Sequence, residues 1–252
     1  MKNCLDTDRF HLEYTESELE HPILWESHCH AQYEIIAVTD GDITVMLEGE
    51  NYRLKKNQLI IIPPLFYHSV TANDTEKYSR ITALFDIEAI PKVLQAEFVG
   101  KSRGTASAGA QMEKLKEICR KNEPLFYAPL IQSLMTEIFY DAEGSPRAPA
   151  KSETDEFIQR TIQYIDLHLQ EKIMLDDLAK HCSRSKSSFC HLFEEKMNIS
   201  PKQYILQKKL ALASKLISEG SPPTSAAMQI GYENYSNFYR IYLKNFGKSP
   251  RK

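Results

Sequence analysis

Three histidines and a glutamate form the densest ligand-binding chemistry in this chain. His28, His30 and Glu34 stand in the run His28-Cys-His-Ala-Gln-Tyr-Glu34, and His68 follows Pro63-Pro64. Imidazoles with a carboxylate suit Zn, Fe, Mn or Ni, and spacing alone does not choose among these ions. The same groups can line a metal-free pocket for a small polar molecule, or serve only as structural hydrogen-bonding groups. Side chains alternate along a strand, so His28 and His30 share one side, and Glu34 joins them if the strand is unbroken. Trp25, Tyr33, Phe66 and Tyr67 lie nearby in sequence, either as a stacking surface for a sugar or as plain core.

Short β-type runs must position this cluster: Tyr33–Thr39, Ile43–Leu47, Leu59–Ile62 and Ile81–Phe85. Asp40-Gly41-Asp42, Glu48-Gly49-Glu50 and Pro63-Pro64 punctuate them as turn signals, and this spacing predicts a small barrel or sandwich over about 10–90. Residues 101–109 read as a flexible link. Helices are expected over about 110–142, where Met112, Leu115, Ile118 and Cys119 share a face that Leu130, Leu134, Ile138 and Phe139 continue. That face packs on the barrel or pairs with a second chain. Residues 143–152 have linker composition, which gives three segments: 1–145, a linker at 146–153, and an all-helical 154–252.

The second constellation lies in the helical part. Ile158, Ile162, Ile165 and Leu169 recur at helical spacing. Ser200-Pro-Lys-Gln203 is a helix start with Ser as N-cap, Pro at the first position and Gln203 able to reach back to the cap amide. The helix that follows, with Leu206, Leu210, Ala213 and Ile217 inward, runs about 18 residues, or about 27 Å at ~1.5 Å per residue, to Glu219-Gly220. A short helix, a tight turn and a second helix occur on each side of it: 175–182 then 186–196, and 224–230 then 234–246. Ser185 and Asn234 are suitable N-caps, and Gly231 suits the left-handed turn. Phe189, Leu192 and Phe193, and in the second copy Phe238, Tyr242 and Leu243, are the expected inward anchors. This is the plan of two helix-turn-helix units.

Charge agrees with a polyanion partner for this half. Residues 1–150 carry 15 basic and 23 acidic side chains, whereas 151–252 carry 16 and 11, a switch from −8 to +5. At 42% hydrophobic and 26% charged residues the composition is that of an ordinary globular protein. No apolar run approaches the ~18 residues of a membrane span. Five scattered cysteines without CxxC spacing, and a polar start without a signal-peptide core, suggest a cytoplasmic protein with reduced thiols.

Residues 155–250 closely resemble the DNA-binding domain of the AraC/XylS family of transcription regulators. The most specific stretch is Gly231-Tyr-Glu-Asn-Tyr-Ser-Asn-Phe-Tyr-Arg-Ile-Tyr-Leu-Lys-Asn-Phe-Gly-Lys-Ser-Pro250, and Leu175-x-x-Leu-Ala, Ser185, Phe189, Leu192-Phe193 and Ser200-Pro201 match the first unit. The resemblance implies base-reading by Ser187, Ser188, Cys190 and His191 in the first unit and by Tyr235, Ser236, Asn237, Tyr239 and Arg240 in the second. Arg240 is the sharpest candidate, because arginine bonds guanine O6 and N7 together. Lys186, Lys244 and Lys248 are candidates for phosphate. The chain departs from the family pattern at Glu194, Lys209 and Pro223. Separately, His28-x-His30-x(3)-Glu34-x(6)-Gly41 resembles the first cupin motif and His68 the histidine of the second. In metal-binding cupins these four residues ligate a divalent ion. Asn57 and Leu65 stand here where the second motif has glycine, and sensing domains of AraC-type regulators commonly keep such histidines without a metal.

The expected fold is therefore two-domain and α+β overall: an N-terminal cupin-like β-barrel with appended helices, then an all-α double helix-turn-helix. The expected function is sequence-specific regulation of transcription on double-stranded DNA, controlled by a small-molecule effector, with a sugar among the suitable classes, in a homodimer without membrane attachment. No catalysis and no required cofactor is expected, with a divalent metal at His28, His30, Glu34 and His68 as the open alternative. The competing readings are a metal-dependent cupin enzyme with an accessory helical domain, and a cupin that only dimerises.

Overall fold

The computed structural model describes residues 2–6, 10–17, 27–73, 78–90, 105–107, 109–121 and 153–251, with isolated positions between 92 and 137. Trp25, the linker at 146–152 and most of the helical run expected after residue 121 lie outside the described residues.

Among the described residues, nine strands belong to the N-terminal domain: β1 Lys2–Asp6, β2 Phe10–Ser17, β3 Tyr33–Asp40, β4 Asp42–Leu47, β5 Glu50–Lys55, β6 Gln58–Ile62, β7 His68–Ala72, β8 Tyr78–Phe85 and β9 Thr105–Ser107. They pair in two sheets, ordered β1-β2-β8-β3-β6-β9 and β5-β4-β7. Every pairing is antiparallel. One core fills the space between the sheets, with Ile36, Val38, Ile60 and Ile62 facing Ile43, Val45, Leu54 and Val70. The other face of the large sheet, including Ile35, Ala37, Leu59 and Ile61, packs under helix α1, Gly109–Lys121. Strands β3 and β6 are thus covered on both faces, which is why they read as unbroken apolar runs rather than alternating ones.

Met112, Leu115, Ile118 and Cys119 of α1 are all buried in this contact, so of the two uses open to that face it serves packing within the chain. The supposed link at 101–109 is corrected: Thr105–Ser107 pairs with β6 as an edge strand, its small residues having given no strand signal. The turn between β4 and β5 has two residues, Glu48 at φ 49° and Gly49 at φ 83°, between the paired Leu47 and Glu50. Positive φ at both positions matches the twist of a tight hairpin.

The C-terminal domain is helical: α2 Glu153–Leu167, α3 Leu175–His181, α4 Lys186–Met197, α5 Pro201–Ser218, α6 Pro223–Gln229 and α7 Tyr235–Phe246. Helix α5 is shared by two cores. Tyr204, Ile205 and Ala211 pack with Leu178, Phe189 and Phe193, whereas Leu210, Ala213 and Ile217 pack with Ala226, Ile230, Phe238 and Tyr242. The caps form as their residue types require. Ser185 accepts from Ser188 N, Asn234 from Asn237 N and Ser200 from Gln203 N. Each is worth about 1 kcal/mol. Gln203 differs from expectation, because its side-chain oxygen accepts from the Ser200 hydroxyl rather than bonding the cap amide. Gly231 takes φ 84° and Tyr232 N bonds Ala227 O, closing the short α6. Leu243 is not an anchor: it is 41% exposed, one position past the buried Tyr242 on the helix.

Candidate functional site

His28 joins His68 by paired backbone hydrogen bonds of 2.9 Å in each direction, which brings the first histidine strand-wise onto β7. The strand that carries Glu34 begins only at Tyr33, after a bend at 31–32, so the unbroken strand assumed for the parity argument does not exist. The cluster forms nonetheless. His28, His30, Glu34 and His68 place ligand atoms within 4.8 Å of one another.

Its hydrogen bonds fix the tautomers. His30 Nδ1 lies 2.9 Å from Gln32 O and His68 Nδ1 lies 2.9 Å from Phe66 O. A carbonyl only accepts, so both Nδ1 atoms carry protons, while the Nε2 atoms turn toward the Glu34 carboxylate, which accepts a hydrogen bond from His30 Nε2. Both Nε2 atoms stand 2.9 Å from the same oxygen, Glu34 Oε2. His68 Nε2 is fully buried, and its line to that oxygen is too oblique for a hydrogen bond. Burial favours a neutral Glu34, but His30 and His68 outweigh it and hold the carboxyl well below its usual range. Burial likewise opposes charge on His68, and the Glu34 carboxylate overrides it to raise the imidazole. A positive centre is what this arrangement stabilises. Backbone carbonyls behind the Nδ1 atoms, with Nε2 atoms and a carboxylate oxygen converging in front, are also the pattern around metal-bound histidines, so the donor set fits a divalent cation. Cys29, between the two histidines, is buried with its thiol pushed up to about 12, which makes it neither ligand nor nucleophile.

The described aromatics near the cluster, Tyr33, Phe66 and Tyr67, pack into or against the cores. Tyr33 stacks on Phe85, on the sheet face under α1. Tyr67 packs edge-on against Tyr204, and Phe66 packs against the core between the sheets. Neither cupin-motif departure changes the backbone: Asn57 has φ 66° and Leu65 φ 67°, the left-handed conformation that glycine takes without strain. Leu65 also packs against the core shared with the helical domain.

That shared core, which includes Cys29, Met46 and Tyr67, continues into a buried polar network that sequence reasoning missed. The Glu48 carboxylate accepts from Tyr67 N at 2.9 Å, Tyr204 Oη at 2.5 Å and Lys208 Nζ at 2.9 Å. Lys208 also meets Asp166 at 2.8 Å. A Cβ on Gly49 would stand 2.9 Å from Ile158 Cγ2, so the hairpin tip is seated closely on the helices. Lys209, where the family pattern favours arginine, donates to Glu171 O at 2.6 Å and Ile230 O at 2.7 Å, fastening the segment between α2 and α3 and the end of α6 to α5.

Of the residues expected to meet DNA, Ser187, Ser188, His191, Tyr235, Ser236, Asn237, Tyr239 and Arg240 are exposed, as are Lys186, Lys244 and Lys248. Cys190 is half-buried against the first core. Arg240 donates to Asn237 Oδ1 at 3.1 Å and Lys186 pairs with Asp176 at 3.0 Å. Between the cluster and α7 opens a cleft of about 460 Å³, walled by His28 and His30 on one side and by Gln207, Lys244, Asn245 and Phe246 on the other.

Residues 14–152 match the family model described as an AraC-like ligand-binding domain, and residues 178–252 match a helix-turn-helix domain. LumQ of Photobacterium leiognathi, described as a probable transcriptional regulator, is 38% identical over 90 residues, 35% of this chain and 36% of its own, so the match spans about a third of that relative. The HTH-type transcriptional regulator YdiP of Escherichia coli is 24% identical over 245 residues, covering 90% of this chain and 80% of its own. Among solved structures, ToxT of Vibrio cholerae is similar over 99% of this chain and 95% of its own, at 10% identity and a TM-score of 0.48.

Proposed function

We propose a ligand-controlled, two-site reading of DNA for this chain, which belongs to the AraC family of transcription regulators and joins a ligand-binding domain to a helix-turn-helix domain. The domains divide at 1–145 and 154–252. Helices α4 and α7 enter successive major-groove segments, with Arg240, Asn237, Ser236, Tyr235 and Tyr239 reading bases in one. Ser187, Ser188 and His191 read the other, with Cys190 at the edge of that surface. Lys186, Lys244 and Lys248 hold phosphates, which positions the protein without specifying sequence.

One observation carries the reading: two capped helices with exposed polar faces are fixed to one 18-residue helix, α5. At ~1.5 Å per residue that helix spans about 27 Å, which suits recognition helices one duplex turn apart. The expected footprint of one chain on its operator covers two major-groove segments on one face of the duplex. A footprint confined to one segment contradicts the reading.

His28, His30, Glu34 and His68 form the inner end of the effector site, and they would hold a divalent cation there. A bound cation would supply the positive centre that these groups favour and a Lewis-acid contact for a polar ligand. Without a cation, a proton on His68, which the Glu34 carboxylate favours, supplies that charge. We assign the chain no catalysis, a cytoplasmic location suited to its free thiols, and a homodimer. Dimerisation must use residues other than Met112, Leu115, Ile118 and Cys119, which are committed within the chain. A metal-dependent cupin enzyme remains the second reading on the strength of the same donor set, and turnover dependent on that metal would be its sign.

A further inference from the structure

The cleft between the cluster and α7 has a chemistry of its own. Its two walls belong to different domains: His28 and His30 on one side, the end of α7 and the middle of α5 on the other. Among the described residues, no aspartate or glutamate lines it. Lys244 contributes an ammonium that pairs with no carboxylate among the described residues. Its neighbours differ: Lys208 has Glu48 and Asp166, Lys209 has two backbone carbonyls, and Lys215 has Glu219. An unneutralised cation facing two imidazoles calls for an anion.

Gln207 adds a second requirement. Its side-chain oxygen is buried without a hydrogen-bond donor among the described residues. An unpaired buried acceptor costs about 1–3 kcal/mol, which a ligand hydroxyl placed there would recover. Asn245 offers further amide hydrogen bonds, while Leu210 and Phe246 supply apolar contact. The volume of about 460 Å³ suits a small molecule and excludes a duplex.

We propose that this cleft binds a small hydroxylated carboxylate, its carboxylate held by Lys244 beside the His28 and His30 rings and its hydroxyl donating to the Gln207 side-chain oxygen. This deepens the effector reading above and rests on it. A consequence follows for DNA. One ammonium cannot serve the ligand and a phosphate together, so the bound carboxylate withdraws Lys244 from the DNA backbone. The ligand therefore weakens DNA binding and removes one phosphate contact.

The test uses full-length protein and matched probes: gluconate against sorbitol, and glycerate against glycerol, each pair sharing its hydroxyls and differing in the carboxylate. Binding is followed by calorimetry and by the imidazole resonances of His28 and His30. The carboxylates should bind and shift those resonances, and the neutral polyols should not. Lys244→Met should weaken binding about ten-fold or more, the weight of one charge-assisted hydrogen bond. Gln207→Leu should erase the advantage of hydroxylated acids over propionate. On DNA, saturating carboxylate should flatten the slope of log K against log salt by about 0.9 in wild type and leave Lys244→Met unchanged. Equal binding of the polyols, no effect of Lys244→Met, or no binding of any probe overturns the proposal. Arg240→Ala separates this from failure of the DNA reading: it should lose sequence preference and still bind the carboxylates.

Discussion

Lys208 Nζ lies 2.9 Å from Glu48 Oε1 and 2.8 Å from Asp166 Oδ1, so one buried ammonium in α5 is held jointly by both domains. Burial alone would discharge this lysine, and the two carboxylates more than compensate, raising it above its ordinary value. Tyr67, which donates its backbone N–H to Glu48, directly precedes His68 of the ligand cluster. The cluster and the central helix of the DNA-binding domain are therefore two contacts apart.

Breaking this pair from one side should cost more than removing it whole. Lys208→Met leaves Glu48 buried opposite an apolar chain, a loss of about 3–5 kcal/mol. The double variant Glu48→Leu with Lys208→Met should recover much of it. Denaturant unfolding of both variants checks this, and a neutral Lys208→Met would contradict the account.

Leu65 should show a distinctive order of stabilities. Its φ of 67° costs roughly 1–2 kcal/mol for a residue with a Cβ, and its side chain offsets that by packing on the interdomain core. Leu65→Ala keeps the strain and loses the packing, so it should be less stable than Leu65→Gly. Equal melting temperatures for the two variants would remove the strain argument.

The caps make a simpler prediction. Ser185→Ala and Asn234→Ala should each destabilise by about 1 kcal/mol, because an N-terminal amide of a recognition helix loses its acceptor. Thermal melts of the full chain read this, and DNA affinity should fall with it if α4 and α7 are the reading helices.

Metal binding separates the two states open to the cluster. Equilibrium dialysis against Zn, Ni or Mn should load one ion per chain in wild type and none in His68→Ala, with Glu34→Gln strongly weakened. Wild type that takes up no ion after dialysis against each metal would assign the cluster to protons alone.

How much of this was legible in the chain depended on the kind of signal. Strands β3 and β6 announced themselves because both faces are buried, and the helix-turn-helix units because Ser185, Ser200 and Asn234 stand at true helix starts. Strand β2 alternates buried and half-exposed residues, its Phe10, Leu12 and Tyr14 separated by polar side chains, and it went unread. Type and spacing singled out His28, His30, Glu34 and His68, which the structure brings together, although the path between His30 and Glu34 bends where a continuous strand was assumed. Glu48 reads as half of a turn signal, and Lys208 stands between Gln207 and Lys209 with nothing local to mark it as buried. Their pairing spans 160 residues, and no local pattern encodes it.

The most direct measurement is binding of the full-length protein to DNA from its own promoter region, titrated against salt and non-specific competitor, with Arg240→Ala alongside. The account predicts specific binding that weakens steeply with salt. It predicts a loss of about 1–3 kcal/mol in the variant, with relaxed preference at one base pair. Binding that is indifferent to sequence, or unchanged by Arg240→Ala, would contradict it.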